Sequence, residues 1–307
     1  MNELIKPIFK NISKVILGKN DTIIMACAVL LARGNLLLED APGLGKTILA
    51  RALAQSIEGR FGRVQCTPDL LPSDITGVSI YNEQDRKFKF RPGPVFANIV
   101  LVDEINRTTP RTQSSLLEAM EERQVSVDNK TYKMYEPFMV IATQNPVEYH
   151  GTYPLPEAQL DRFLMKLSIG YPDLNQEMSI MQMQKEQHPI DTLEAVVNAK
   201  DIIKMQQQVA SILVDEKVLR YITLIIRETR VHNDVMLGVS PRGSLALMRV
   251  SQALAFIEDE EQVTPNFVKR ASGAVLAHRI LLKPQARAEK TSLQVIEEII
   301  SRVAVPT

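Results

Sequence analysis

Tryptophan is absent from this 307-residue chain, and aromatic residues make up only 5% of it. A surface that stacks single-stranded bases needs aromatic platforms, so this scarcity weighs against that role. Neither sign of charge is in excess, because Lys+Arg and Asp+Glu both number 36. Non-specific nucleic-acid binders usually carry a basic excess. Nucleic acid is therefore not an expected partner, although a local basic groove is compatible with the balance. There are two cysteines, Cys27 and Cys66, without Cys-x-x-Cys spacing. That argues against a disulfide framework or a thiolate metal cage and suits buried thiols in a reducing compartment. The longest apolar run, Ile23 to Ala32, is ten residues, too short to span a bilayer. The start, Met1 to Lys6, lacks a signal-peptide layout. Low-complexity segments and internal repeats are also lacking. The expectation is a cytoplasmic protein without a transmembrane segment.

What the chain does contain is organised around Asn35 to Thr47. Leu36 to Leu38 reads as a buried strand, Pro42-Gly43-Leu44-Gly45 as a turn, and Lys46-Thr47-Ile48 as the opening of a helix. Strand, glycine loop and helix N-terminus bring backbone N–H groups and the positive end of a helix dipole to one point, which suits a polyphosphate. Lys46 would reach the β/γ-phosphates and Thr47 would hold Mg²⁺. The strict pattern wants glycine where Asp40 stands, so a chance Gly-Lys-Thr in a surface turn stays open on the motif alone.

Periodicity supplies the frame. Residues 4–17 and a segment from Asp21 or Thr22 to Arg33 have helical character. Strands are predicted at 63–67, 99–102, 138–142 and 163–169, and a helix at 108–122 begins at Thr109-Pro110. Alternating strands and helices predict an α/β fold with parallel connections. Residues 78–94 and 124–136 each read as a hairpin around a polar turn. From about 171 the composition shifts. Met178 to Gln184 reads as a Met/Gln-rich helix packed on the core. Helices follow at 200–211, 215–233, 241–257, 264–280 and 290–303. Ser240-Pro241 and Thr264-Pro265 are read as caps followed by a first-turn proline.

Asp103 and Glu104 end the apolar strand, at the edge where an open α/β sheet binds its ligand. Asp103 can organise a Mg²⁺ shell beside Thr47, and Glu104 can orient and polarise a water. Asn145 ends another strand and can hydrogen-bond a γ-phosphate, although asparagine also ends strands through turn chemistry. Arg242 sits in the first turn of a helix, where the dipole opposes a cation. A bound anion would resolve that conflict, and a solvated arginine is the alternative. Arg162 ends a short helix, with a salt bridge to Asp161 or Glu157 as the alternative to a functional role. The four histidines, His150, His188, His232 and His278, show no ligand spacing and read as structural or surface groups.

Taken together, these motifs resemble the MoxR family of AAA+ ATPases. The resemblance is carried by Leu38 to Thr47, Thr67 to Gly77, Pro92 to Asn98, Asp103 to Arg107, Leu116 to Glu122, Ala142 to Pro146, Leu160 to Phe163 and Ser240 to Arg242. It runs from about residue 10 to 282, and members commonly carry an acidic residue at the position of Asp40. The resemblance implies a P-loop NTPase core over 1–190, a parallel sheet flanked by helices, and a smaller all-α lid over 191–307. It implies ATP and Mg²⁺ as cofactors. Pro42 to Ile48 would be Walker A, Asp103 and Glu104 Walker B, Asn145 sensor 1, Arg242 sensor 2, and Arg162 an arginine finger acting on a neighbouring copy. On that reading the loop's site is completed from within by Asp103, Glu104, Asn145 and Arg242. It further implies a homo-oligomeric, usually hexameric ring and chaperone-like work on client proteins with a von Willebrand factor A domain partner. The alternatives are a nucleic-acid motor or loader, a magnesium-chelatase-like subunit, and a non-catalytic nucleotide switch, which intact Glu104 and Arg162 disfavour.

Overall fold

The structure, a computed structural model, describes residues 1–84, 86–146, 152–183 and 189–306. Helices α1 (Lys6–Ser13) and α2 (Asn20–Leu31) lead into strand β1 (Leu36–Glu39). Helix α1 is shorter than its apolar pattern suggests. Gly18, at φ 68°, turns the chain before α2 begins. Helix α2 starts at Asn20 without a side-chain cap, so neither Asp21 nor Thr22 plays that part. Its apolar residues surround it because it packs against α1 and against two later helices, as expected of a helix with no solvent face.

Next come α3 (Lys46–Gln55), β2 (Phe61–Gln65), the short α4 (Pro72–Thr76), and a hairpin of β3 (Gly77–Asn82) and β4 (Lys87–Pro92). Strand β5 (Ile99–Asp103) and helix α5 (Pro110–Glu122) precede a second hairpin, β6 (Gln124–Val127) and β7 (Lys130–Lys133). Strand β8 (Met139–Gln144), the single turn α6 (Glu157–Leu160) and β9 (Met165–Leu167) complete the sheet region. The sheet has five strands, all parallel, in the order β9-β1-β8-β5-β2. Strand β5 lies inside it and is buried along its whole length, which is why it reads as an unbroken apolar run rather than an alternating one. Both hairpins stand off the sheet. They meet where Phe90 stacks on Tyr132, with ring centroids 4.1 Å apart.

Helix α7 (Leu174–Met183) corrects the sequence reading of the Met-rich stretch. It buries none of its residues, and Met178 and Met181 are exposed. The remainder is helical: α8 (Ala199–Ser211), α9 (Glu216–Val231), α10 (Pro241–Glu258), α11 (Pro265–Leu276) and α12 (Ser292–Arg302). Helix α10 packs on α2, and α11 packs on the edge strand β9. One hydrophobic core therefore runs from the sheet through α2 into these helices. A second core fills the opposite face of the sheet. Truncating one such fully buried leucine, for example Leu30 or Leu254, costs about 2–5 kcal/mol. No described helix is long and apolar enough to cross a membrane.

Candidate functional site: two separate faces

The loop between β1 and α3 is shaped by two glycines at positive φ, Gly43 at 83° and Gly45 at 88°. A Cβ on Gly43 would meet nothing within 4 Å, so glycine is needed there for backbone conformation rather than for space. The Lys46 ammonium is folded back onto this loop and donates to the carbonyl oxygens of Asp40 (2.5 Å) and Ala41 (2.9 Å). Burial lowers its pKa from the ordinary lysine value, while Asp40, Asp103 and Glu104 pull the other way. Asp40 itself is a brace. Its carboxylate accepts from Ser168 Oγ and the Ile169 N–H, both at 2.6 Å, and more distantly from the Gly170 N–H at 3.4 Å. The acidic residue in place of the first motif glycine thus ties the start of the loop to the exit of β9.

Asp103 is buried at the end of β5. Its Oδ1 accepts from Thr47 Oγ1 and Thr143 Oγ1, each at 3.3 Å. Its Oδ2 accepts two donors of Arg63, Nε at 3.0 Å and Nη2 at 2.9 Å. Glu104 adopts a left-handed backbone, φ 57° and ψ 52°, which is unusual for a residue with a Cβ and is found where surroundings over-determine it. Here the Glu104 N–H donates to Thr143 Oγ1 at 2.9 Å. The Glu104 carboxylate accepts from Gln65 Nε2 (3.2 Å) and Arg107 Nη1 (2.9 Å). Arg63 and Gln65 lie two residues apart on β2, on one face of the neighbouring strand. They are the residues sequence reasoning missed, and the polar alternation around Val64 was the available signal.

Pro42 to Ile48, Arg63, Gln65, Asp103, Glu104, Thr143 and Asn145 line one cavity, with Asn145 buried just beyond β8. Hard oxygen donors from Thr47 and Asp103 stand together in it, a donor set that suits Mg²⁺. A second, mostly apolar cavity abuts the loop at Gly43, Gly45 and Ile48, walled by Ile16, Ile169, Ile180 and Met183. The two cysteines are inert by burial. Desolvation pushes both thiols up to about 12, and for Cys66 the charges of Asp103 and Glu104 add to it.

Arg162 and Arg242 belong to another face. They line a cavity with Glu121, Arg123, Asp161 and Arg279, and neither borders the loop cavity. Arg242 Nη2 lies 2.5 Å from Glu121 Oε1, and Arg162 Nε lies 3.3 Å from Glu121 Oε2. In this structure Arg242 therefore stands away from the loop cavity of its own chain, where the sequence reading places it. With α10 docked on α2 and α11 on β9, the first turn of α10 faces the end of α5. The carboxylate partner of Arg162 is also not one of the two considered, Asp161 or Glu157. Asp161 is taken by Arg279 Nε (2.8 Å) and Ser240 Oγ (3.1 Å). Ser240 consequently makes no side-chain cap on α10, and Thr264 makes none on α11. In both helices the first-turn proline fixes the entry instead.

Of the histidines, His150 and His188 lie outside the described residues. His278 is buried against the Phe163 carbonyl oxygen at 3.1 Å, with its pKa well below the usual histidine value through desolvation and then Arg279. His232 gathers with Asp234 and Glu298. There Lys290 already bridges Asp234 (3.1 Å) and Glu298 (2.9 Å). His232 Nδ1 accepts the Asp234 N–H at 3.2 Å. Arg302 adds a second cation 3.7 Å from Glu298, so the two carboxylates of the cluster are matched by the protein's own cations.

A family model for the ATPase family associated with various cellular activities (AAA) matches residues 35–165, and one for the AAA lid domain matches 227–301. The chain is 51% identical to the uncharacterized protein YeaC of Bacillus subtilis, over 100% of this chain and 96% of that one. It is 37% identical to Chaperone MoxR1 of Mycobacterium tuberculosis, over 96% of this chain and 80% of the relative. To Protein MoxR of Paracoccus denitrificans it is 31% identical, over 95% and 93%. A crystal structure from Cytophaga hutchinsonii, described as that of an ATPase, superposes with a TM-score of 0.92 at 36% identity, covering 99% of this chain and 95% of that one.

Proposed function

The chain belongs to the MoxR family of AAA+ ATPases, and from that premise we propose that it hydrolyses ATP in a Mg²⁺-dependent manner at sites shared between neighbouring copies of a homo-oligomeric ring. One copy supplies Pro42 to Ile48, Thr47 and Asp103 as metal ligands, Glu104 to orient and polarise the attacking water, and Asn145 to hydrogen-bond the γ-phosphate. Mg²⁺ held by Thr47 and Asp103 would supply positive charge for the phosphate oxygens. The next copy supplies Arg162 and Arg242. Cations placed on the transferring phosphoryl group are worth about 10³–10⁵ in turnover.

One observation carries this reading: both arginines lie on a face apart from the loop cavity of their own chain, gathered on Glu121. A cation pair that does not border its own phosphate loop suits a head-to-tail interface, which forms a ring where its rotation closes. We take the ring to be a hexamer, with the boundary between nucleotide-binding and lid parts near residue 190. The cycle would drive chaperone-like remodelling, assembly or metal loading of client proteins, with a von Willebrand factor A domain protein as partner.

The test is complementation. Arg162→Ala and Glu104→Gln should each lower turnover by about 10²-fold or more when alone and still bind ATP. Mixing them should restore activity, because some interfaces then pair an intact Glu104 with an intact Arg162. Absence of recovery in rings shown to contain both variants would overturn the shared site.

A further inference from the structure

Glu121 and Arg242 are each on the wrong end of a helix. Glu121 lies in the last turn of α5, where the negative end of the dipole disfavours a carboxylate. Arg242 lies in the first turn of α10, where the positive end disfavours a guanidinium. Each misplacement is unfavourable, and their direct contact offsets both. The other Glu121 oxygen takes Arg162. One carboxylate thus joins two cations that come from separate segments of the chain and would otherwise repel one another.

The pair is also held from behind. Asp161, the residue before Arg162, accepts from Ser240, which immediately precedes the first turn of α10, and from the buried Arg279. Backbone is therefore fixed on either side of the contact, while the guanidinium ends stay half-exposed. A group that is anchored at its root and paired at its tip is positioned for exchange of that partner. A phosphate at this point would meet the N-terminus of α10 and both guanidiniums together, a stronger anion site than one carboxylate provides.

We propose that Glu121 is a positioning residue that gathers Arg162 and Arg242 into one cationic unit and yields them to the γ-phosphate held by the neighbouring copy. The inference rests on the shared-site reading above. Glu121 touches no nucleotide itself and acts through the arginines. Removing its charge lets the two guanidiniums separate before they reach the phosphate, and displacements of about 1 Å at such groups cost up to roughly 10²-fold in rate.

The experiment uses the full chain with Glu121→Gln, which keeps shape and removes charge. Turnover at saturating ATP should fall roughly 10- to 100-fold, with KM for ATP and the melting temperature little changed. Glu121→Asp should recover part of the loss. Adding Glu121→Gln to Arg162→Ala should lower turnover by less than it does in the wild type, because the two residues act as one unit. Mixing Glu121→Gln with Glu104→Gln should restore turnover, since one copy's Glu104 then works opposite the other copy's Glu121. Unchanged or raised turnover for Glu121→Gln overturns the inference, as does full additivity with Arg162→Ala. Failure of this mixture to recover, where Arg162→Ala with Glu104→Gln does recover, overturns the inference and spares the shared site. If neither mixture recovers, the shared site fails and this inference falls with it.

Discussion

The loop face and the arginine face hold opposite charges in opposite ways. On the loop face two carboxylates, Asp103 and Glu104, are held by Arg63, Gln65 and Arg107. On the arginine face two guanidiniums, Arg162 and Arg242, are held by one carboxylate, Glu121. Each of these charges has a partner within its own chain, so neither face leaves a buried charge unpaired, which would cost several kcal/mol. The two also differ in how they are built. The loop face comes from strand ends of one parallel sheet and from the turn after β1. The arginine face comes from α5, the segment before β9 and α10, and exists only because the C-terminal helices dock on α2 and β9. One face is therefore set by the sheet, and the other by a packing contact between distant parts of the chain.

The sharpest way to break this comparison is to disable each face in turn. Glu104→Gln removes the water-orienting carboxylate from the loop face and leaves the left-handed backbone and the Thr143 hydrogen bond in place. Turnover should fall by about 10²–10⁴-fold, while ATP binding, read by equilibrium titration, stays near wild type. Retained turnover would remove Glu104 from that role. Lys46→Ala on the same face should instead weaken ATP binding itself. An unchanged titration there would sink the phosphate assignment of the loop.

Arg242→Ala tests the other face. If the arginine serves a neighbour, ATP affinity of the dispersed single copy should be unchanged and turnover of the assembled protein should fall about 10²–10³-fold, as for loss of one transition-state donor. If dispersed copies lose affinity instead, Arg242 reaches its own loop by a movement of the helical region, and the distinction between the faces collapses.

These two faces were not equally legible in the sequence. Leu36 to Thr47 announces itself because strand, turn and helix are contiguous, and the acidic pair follows because a buried apolar run ends in two carboxylates. Arg63 and Gln65 escaped because their partners lie 39 to 40 residues away, across a strand pairing that chain order does not spell out. Asp40 was visible only as a departure from a motif, since its partners follow β9. The place of Arg242 on its helix marks it as a candidate anion ligand. Its direction is not marked, because that depends on how α10 docks on α2. The surface position of α7 was hidden for a similar reason: methionine and isoleucine at helical spacing mark an apolar side, not whether that side meets the core or a cavity.

A smaller effect sharpens the account of the loop face. Asp40→Asn keeps the size of the brace but replaces one acceptor oxygen by a donor. An amide nitrogen in place of Oδ2 would meet the Ile169 N–H donor, and one in place of Oδ1 would have to turn the Ser168 hydroxyl into an acceptor and would face the Gly170 N–H; in either orientation the negative charge is lost. The expected cost is about 1–3 kcal/mol, read by denaturant unfolding. ATP affinity should weaken as well, because the Asp40 carbonyl oxygen is one of the two acceptors of Lys46. A variant with unchanged stability would show that the acidic side chain is not the brace described above.

The smallest expected effect lies at the root of the arginine face. Ser240 stands where a helix cap belongs, yet its hydroxyl donates to Asp161, the neighbour of Arg162. Ser240→Ala should therefore act as the loss of a tether between two segments, not as the loss of a cap. Its cost in stability should be about 0.5–1.5 kcal/mol, the net worth of one hydrogen bond. A cap would contribute a similar energy, so stability alone does not separate the two roles. Coupling does. Asp161→Asn leaves Arg279 a weaker partner and disturbs the same tether, so the two substitutions together should cost less than the sum of each alone. Strict additivity in a double-mutant cycle would mean that Ser240 and Asp161 act independently. The arginine face would then rest on Arg279 and Glu121, without the serine that precedes α10.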